Sequence, residues 1–402
     1  MKSDKTIPIL TNRGMRLVLL LLLVSSLFLN GGCWNKVEVI DTIQAEGLVF
    51  DLENDLPVMS IQLAKSSGNG ESTSSQSNEP LIITQTGRSF TECARNTMLR
   101  LPRLPVWSHA GVIVLGEDLV HQDMALLTDF MARNRHVRKT SLLFVCKGMS
   151  GRECSEAELL IEKYSLAGLE RLIRTQEKEL GIYMPVITHS FLEKLATPGV
   201  QPAVPQISLY ESEGKKLLQL DGMAVFKDRR QVGSLDEFES RGYRFLSPKM
   251  ISGGFFNVSV PDQDPSGYEK LMAIELTRSR ATISPLIEGD KISHIQISIE
   301  AEGNFYEQNF IGELLTLDNA AIIEELINQE IKRQITAAIV KAQALNSDIF
   351  GWGHMIYQQN PALWEQLENN WPATFAGLDA DITVDFSLRR TYLLDHSFEF
   401  RE

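Results

Sequence analysis

A thirteen-residue run from Leu17 to Leu29, apolar except for Ser25 and Ser26, constrains this chain more than any other feature. Crossing the ~30 Å hydrocarbon core of a bilayer takes about 20 helical residues, so the run is too short to span it. Its length is that of the apolar core of a secretory leader. Lys2, Lys5, Arg13 and Arg16 precede or open it against a single Asp4, and Met15 offers a second start that keeps the same core. The run stops at Asn30-Gly31-Gly32-Cys33, and charge returns at once with Lys36, Glu38 and Asp41.

A cysteine placed directly after small residues at such a boundary is what bacterial lipoprotein processing requires. Small side chains fit the peptidase, and the thiol of Cys33 would receive diacylglycerol before cleavage, with further acylation such as palmitate. Asn30 stands where leucine is usual, with Leu29 one position further back. The plainer alternative is an ordinary secretory leader with an incidental cysteine. No other apolar run reaches spanning length, so the expected mature protein lies on a membrane rather than across it.

Charge then bears on partners. The chain carries 39 Lys+Arg against 52 Asp+Glu, a formal net charge of -13. Neutralising phosphates needs a basic domain, which argues against nucleic acid. Removing the basic leader leaves a still more acidic body, which an anionic leaflet repels. Stable attachment therefore needs acyl chains, two signals rather than one. Four cysteines are too few for a disulfide scaffold.

Beyond the leader, Ile43 to Phe50, Leu56 to Leu63 and Leu81 to Thr84 read as strands, and the polar run 66–80 as an exposed loop. A helix is expected over Ser89–Leu101, with Ser89 as N-cap and Pro102 as stop. A buried strand follows at 111–116, then a helix from Glu117 to Arg135 with Leu119, Leu126, Leu127 and Phe130 on one face. A strand over Thr140–Cys146 and helices over Ser155–Tyr164 and Leu169–Lys178 continue the alternation. The three prolines of 197–206 predict a break between domains. Strands at 207–210 and 216–226 and a short helix over 234–243 come next, with Gly222 at a bulge or turn. In the last third, strands at 255–260, 273–280 and 292–301 precede a helix from about 318 to 344, striped by Ile323, Ile327, Ile331, Ile335 and Ile339. A helix over 361–369 and a strand through Ile382, Val384, Phe386 and Leu388 close the pattern. The fold class is α+β, mixed or antiparallel sheets packed with helices. Its expected parts are a signal peptide over 1–32, an N-terminal α/β domain over 33–196, a small middle domain over 197–250 and a C-terminal α+β domain over 251–402.

Several segments together resemble the C-subunit lipoproteins of nutrient germinant receptors in spore-forming bacteria, the Ger(x)C family. They are GGCWNKVEVIDT at 31–42, TGRSFTECARNTMLRLPRLPVWSHAGVIVLGEDL at 86–119, the span Asp129 to Arg138, and QALNSDIFGWGHMIYQQNPALWEQLENNW at 343–371. The resemblance implies a non-enzymatic, lipid-anchored subunit at the outer face of the spore inner membrane. It implies integral membrane A and B subunits as partners, and a small-molecule nutrient sensed by the complex. By position, Cys33 matches the family's acylated cysteine. Gly87, Ser89, His109, Asp348, Gly351 and Gly353 match recurrent positions read as fold-forming.

Sharper chemistry finds little support. Ser108 and His109 are adjacent, so in a strand they point to opposite faces, and no G-x-S-x-G elbow exists. None of His109, His121, His136, His189, His294, His354 and His396 is spaced as a metal pair, and there is no C-x-x-C. No catalytic, cofactor or metal residue is therefore expected. Cys93, Cys146 and Cys154 read as buried thiols, with a Cys146–Cys154 bridge as the alternative. Aromatics crowd 350–375. Trp352, Tyr357, Trp364 and Trp371 are either core or a partner-facing patch, with a ligand pocket as a third reading.

Overall fold

The computed structural model describes residues 13–29, 38–64, 80–261, 269–289, 291–310 and 319–391. It separates into two compact units, one ending at Thr42 and one running from Ile43 onward. In the first, the apolar run forms α1 (Arg13–Leu29), with Leu17 to Val24 exposed. Among the described residues no helix is long and apolar enough to cross a membrane. Cys33 and the polar stretch 65–79 lie outside the described residues.

The second unit is built on two sheets. Its first half contains β1 (Thr42–Glu53), β2 (Leu56–Leu63), β3 (Leu81–Thr86), α2 (Phe90–Asn96), β4 (Leu104–Val106) and β5 (Val112–Leu115). Then come α3 (Glu117–Val120), α4 (Ala125–Arg133), β6 (Leu142–Cys146), α5 (Gly151–Glu156), α6 (Ser165–Glu179), α7 (Thr188–Ala196), β7 (Ala203–Ser212), β8 (Lys215–Lys227) and β9 (Arg230–Leu235). Among the described residues these strands form one nine-stranded sheet in the order β3-β2-β1-β5-β6-β7-β8-β9, with β4 also on β1. Its centre is parallel from β1 through β7, and antiparallel hairpins flank it. Parallel strands are covered on both faces, which is why they read as unbroken apolar runs. Val112 and Val114 enter one core with Leu166, Leu169 and Ile173 of α6, while Ile113 and Leu115 enter the other with Phe90 and Phe130.

The second half contains α8 (Glu237–Phe245), β10 (Phe255–Ser259), β11 (Leu271–Glu288), β12 (Lys291–Gln308), α9 (Ala320–Ala344), α10 (Trp352–Gln359), α11 (Pro361–Leu367), α12 (Trp371–Ala376) and β13 (Ala380–Thr391). A four-stranded sheet orders β10-β11-β12-β13 among the described residues. Ile295, Ile297 and Ile299 are fully buried while Gln296 and Ser298 are exposed, the one-sided alternation expected of a sheet backed on a single face. The isoleucine stripe of α9 joins them in the core, and this core is continuous with one face of the large sheet. The mixed α+β class and the long helix stand as expected.

Several local expectations do not hold. The helix expected over Glu117–Arg135 is broken, and Leu126 is exposed. At the break, Met124 N–H donates to the Arg229 carbonyl at 3.2 Å, and Asp123 pairs with the Arg229 guanidinium. The β8–β9 turn thus takes the backbone group a continuous helix would have used. The helix expected over Ser155–Tyr164 lies earlier, as α5, because Ser150 and Glu153 form a capping box. Likewise α8 begins after Asp236, capped reciprocally by Glu239. The strand expected from 207 begins earlier, at Ala203, as β7, whose ladder with β8 shifts register between Pro205 and Ile207, where a proline is tolerated. The expected bulge at Gly222 does hold: Asp221 and Gly222 stand opposite Gln206 alone, Gly222 has φ +94, and a Cβ there would meet the Leu235 carbonyl oxygen at 2.6 Å.

Candidate functional site

The segment after α9 is organised by one carboxylate. The chain leaves α9 through Asn346 in the left-handed region, and the Ser347 hydroxyl donates to the Phe226 carbonyl at 2.5 Å. Asp348 is then fully inside. Its Oδ1 accepts N–H groups of Gly351 (2.8 Å) and Trp352 (3.2 Å), and its Oδ2 accepts Gly353 N–H (2.8 Å) and Trp371 Nε1–H (3.1 Å). Gly351, at φ +79, makes the turn that aims these donors at one point. Burial pushes the carboxyl up to about 6 while the four donors pull it down. With its lone-pair directions occupied, Asp348 is an internal cap for α10 rather than a base open to substrate.

A distant segment closes over this turn. Gly199 accepts His354 N–H at 3.0 Å through its carbonyl, and Gln201 N–H donates to the Asp348 carbonyl at 2.8 Å. A Cβ on Gly353 would lie 2.6 Å from Trp371 Nε1 and 2.8 Å from Gly199 Cα, so both glycines are set by close approach. Between them lies a half-open cleft of about 490 Å³, lined by Pro198, Val200, Lys227, Asp228, Trp364 and Trp371 among others. Glycine after proline in TPG marks the turn in the sequence, but its partner more than a hundred residues later leaves no local sign.

The four singled-out aromatics do not form one patch. Trp352 is fully buried and stacks on Phe350 at 5.2 Å, while Trp364 and Trp371 meet at 5.5 Å at the cleft's inner wall. Tyr357 is 42% exposed on α10, beside the His354 ring. Of the positions read as fold-forming, Ser89 caps α2 by accepting Glu92 N–H, and His109 is exposed in a short turn before β5.

In α/β sheets ligands gather at the carboxyl ends of parallel strands. Here that edge is filled. Asp51, at the end of β1, accepts Gly151 N–H at 2.6 Å and Leu52 N–H at 2.8 Å, and burial raises its carboxyl. A Cβ on Gly116 would fall 1.9 Å from the Asp51 carboxyl carbon. Cys146 and Cys154 lie beside one another there as free thiols, and burial raises Cys146. Cys93 donates its S–H to the Pro57 carbonyl, and burial pushes it up to about 11. Thiolates being the reactive form, all three described thiols should resist alkylation until the chain unfolds. Unfolded protein should then titrate the same number of thiols with and without reductant. A lower count without reductant would reveal a closed Cys146–Cys154 bridge. No group of three His, Cys, Asp or Glu side chains is placed to hold a metal among the described residues.

Two family models match nearly all of the body. Residues 35–209 match the spore germination protein N-terminal domain, and residues 221–392 match the spore germination B3/GerAC-like C-terminal domain. Spore germination protein KC of Bacillus subtilis (strain 168) is 22% identical over 407 aligned residues, covering 95% of this chain and 98% of that protein. Spore germination protein YndF of the same organism is 25% identical, covering 76% of this chain and 73% of its own length. The crystal structure of the GerBC protein shares the fold, with a TM-score of 0.54 at 19% identity over 85% of this chain and 96% of that one.

Proposed function

Because the chain belongs to the GerAC family of spore germination proteins, we propose that it is the lipid-anchored C subunit of a nutrient germinant receptor. In this reading it is a non-enzymatic body at the outer face of the spore inner membrane, where it scaffolds and couples the integral A and B subunits. The observation that carries the reading is the order of features along the chain. An apolar leader too short to span ends at Cys33, and the match to the family begins two residues later. The filled carboxyl edge and the fully engaged Asp348 support a body built to be rigid rather than to turn over substrate. Anchoring confines the body beside its partners and raises effective concentration by orders of magnitude, so weak contacts suffice. Deleting the gene should abolish dipicolinate release for particular nutrients while a non-nutrient trigger still works. Normal release across the whole nutrient panel would overturn the reading. Cys33→Ala should shift the protein out of the membrane fraction and slow nutrient germination at least severalfold. A variant released from membranes yet germinating at the normal rate would remove anchoring from the mechanism.

The cleft beside Trp364 and Trp371 favours a second reading, direct capture of the nutrient, since its volume falls in the range of small-molecule sites. Saturable binding of a germinant to the purified protein by calorimetry, lost in Trp364→Ala, would favour it. Heats of dilution alone would end it.

A further inference from the structure

The acidic chain reverses its charge at one edge. From Cys93 to Gly116, and again from Phe130 to Arg152, no acidic residue occurs. The parallel register sets Val112 opposite Leu142 and Gly47, so the segments leading into β5 and β6 share the amino edge of the sheet. The Ser141 hydroxyl donates to the Ala110 carbonyl at 2.6 Å, and Leu142 N–H to the Gly111 carbonyl at 2.8 Å, binding these segments together. β4 joins the same region through β1, and Ala45 aligns with Leu63 and thence Leu81.

This edge presents Arg100, Arg103, Arg135 and Arg138, all exposed, and among the described residues none has a carboxylate at ion-pair distance. Many arginines elsewhere are matched, Arg152 with Glu53, Arg171 with Glu162, Arg229 with Asp123, and Arg278 and Arg389 with Glu302, although Arg230 and Arg280 have no carboxylate at ion-pair distance among the described residues. Several nearby acids are already engaged, Glu92 by Arg88, Asp129 by Arg133 and Glu170 by Arg174, while Glu46 faces Arg171. Apolar side chains stand out among the arginines. Leu99 is 82% exposed, and Met98, Leu104 and Leu81 are each exposed by a third or more. The nine residue steps from Cys33 to Thr42 reach at most about 32 Å, so an anchor on Cys33 keeps the start of β1 within that distance of a bilayer.

We infer that this arginine and leucine edge is a membrane-docking surface, on which the body rests against anionic phospholipid headgroups. The inference rests on the anchored reading above. Its chemistry is that of peripheral membrane faces: guanidinium groups for lipid phosphates, with a few apolar side chains reaching below them. Each arginine near an anionic surface is worth about a fivefold change in surface affinity. Together, four account for several hundredfold, enough to overcome the repulsion of the acidic remainder and fix which way the body faces.

The test uses the full mature chain in vesicles of equal parts phosphatidylglycerol and phosphatidylcholine, or of phosphatidylcholine alone. A fluorophore goes on Leu99→Cys, or on Asp55→Cys in the β1–β2 turn at the opposite end of β1. The described native thiols are buried and should stay unlabelled. With a quencher carried on lipid headgroups, the Leu99 probe should be quenched severalfold more than the Asp55 probe in phosphatidylglycerol vesicles. The difference should vanish in phosphatidylcholine. It should vanish also in the chain carrying Arg100→Glu, Arg103→Glu, Arg135→Glu and Arg138→Glu, whose fold is checked by circular dichroism. Equal quenching at both sites, or a difference indifferent to phosphatidylglycerol, overturns the anionic-lipid surface while leaving the anchor intact. A chain that leaves phosphatidylcholine vesicles but stays on phosphatidylglycerol, with Leu99 quenched, would overturn the anchor and keep the surface. A chain absent from both vesicle fractions ends both.

Discussion

Asp348→Asn should destabilise the protein by about 3 kcal/mol at neutral pH, read as a lower urea midpoint with an unchanged slope. The replacement keeps shape but turns one acceptor into a donor, so an amide N–H is pressed against the N–H groups of Gly351 and Trp352 or of Gly353 and Trp371. A midpoint unchanged within error would show that these donors find other acceptors. The variant should also change how stability depends on pH. In the folded protein the carboxyl sits near 6, above the 3.8 of an unfolded aspartate. The folded state therefore binds its proton more tightly. This group's contribution rises as the pH falls from about 6 to about 4 and is flat above 6, opposite in sign to ordinary acid denaturation. In Asp348→Asn that segment of the stability curve should flatten.

Gly242→Ala is expected to cost about 3 kcal/mol or to prevent folding, although alanine is the better helix former by roughly 1 kcal/mol. Gly242 lies where α8 crosses α9. An added Cβ would fall 2.0 Å from the Gln334 carbonyl oxygen and 3.0 Å from the Ile335 nitrogen, and backbone cannot rotate away. The same crossing is fastened by the Arg333 guanidinium over the Phe238 ring at 4.6 Å. Gly377→Ala, with only ordinary contacts near 4 Å, is the control and should stay within about 0.5 kcal/mol. Thermal melts of both variants decide it. Equal melting temperatures would mean the helices slide apart at little cost.

Much of the architecture could be read from periodicity, because the relevant forces repeat along the chain. The isoleucines of β12 and the stripe of α9 announce their buried faces in every turn or pleat. What escaped depends on contacts between distant residues. Leu126 fits a helical apolar face by spacing, yet the Arg229 carbonyl breaks that helix and Leu126 stays in water. α7 has an apolar face, with Phe191 buried, but no recognised cap: Ile187 offers no side-chain acceptor. At the cleft, the sequence SDIFGWG displays its own aspartate and glycines, while nothing near Gly199 reveals that it will touch Gly353. Carbonyls and glycine contacts carry no periodic signature.

The order of strands in the small sheet has a consequence for synthesis. β12 accepts β13 as its parallel neighbour, paired from Ile295↔Ala380 to Phe305↔Thr391 with one register shift after Gly303. Between them the chain must first make α9, α10, α11 and α12. Until the last of these has emerged, one side of an eighteen-residue strand has no ladder to join. A bare strand edge of that length is a template for another chain. Nascent or truncated copies that end before Ala380 should therefore pair with one another through β12, and quality control would meet them as aggregates rather than as soluble fragments.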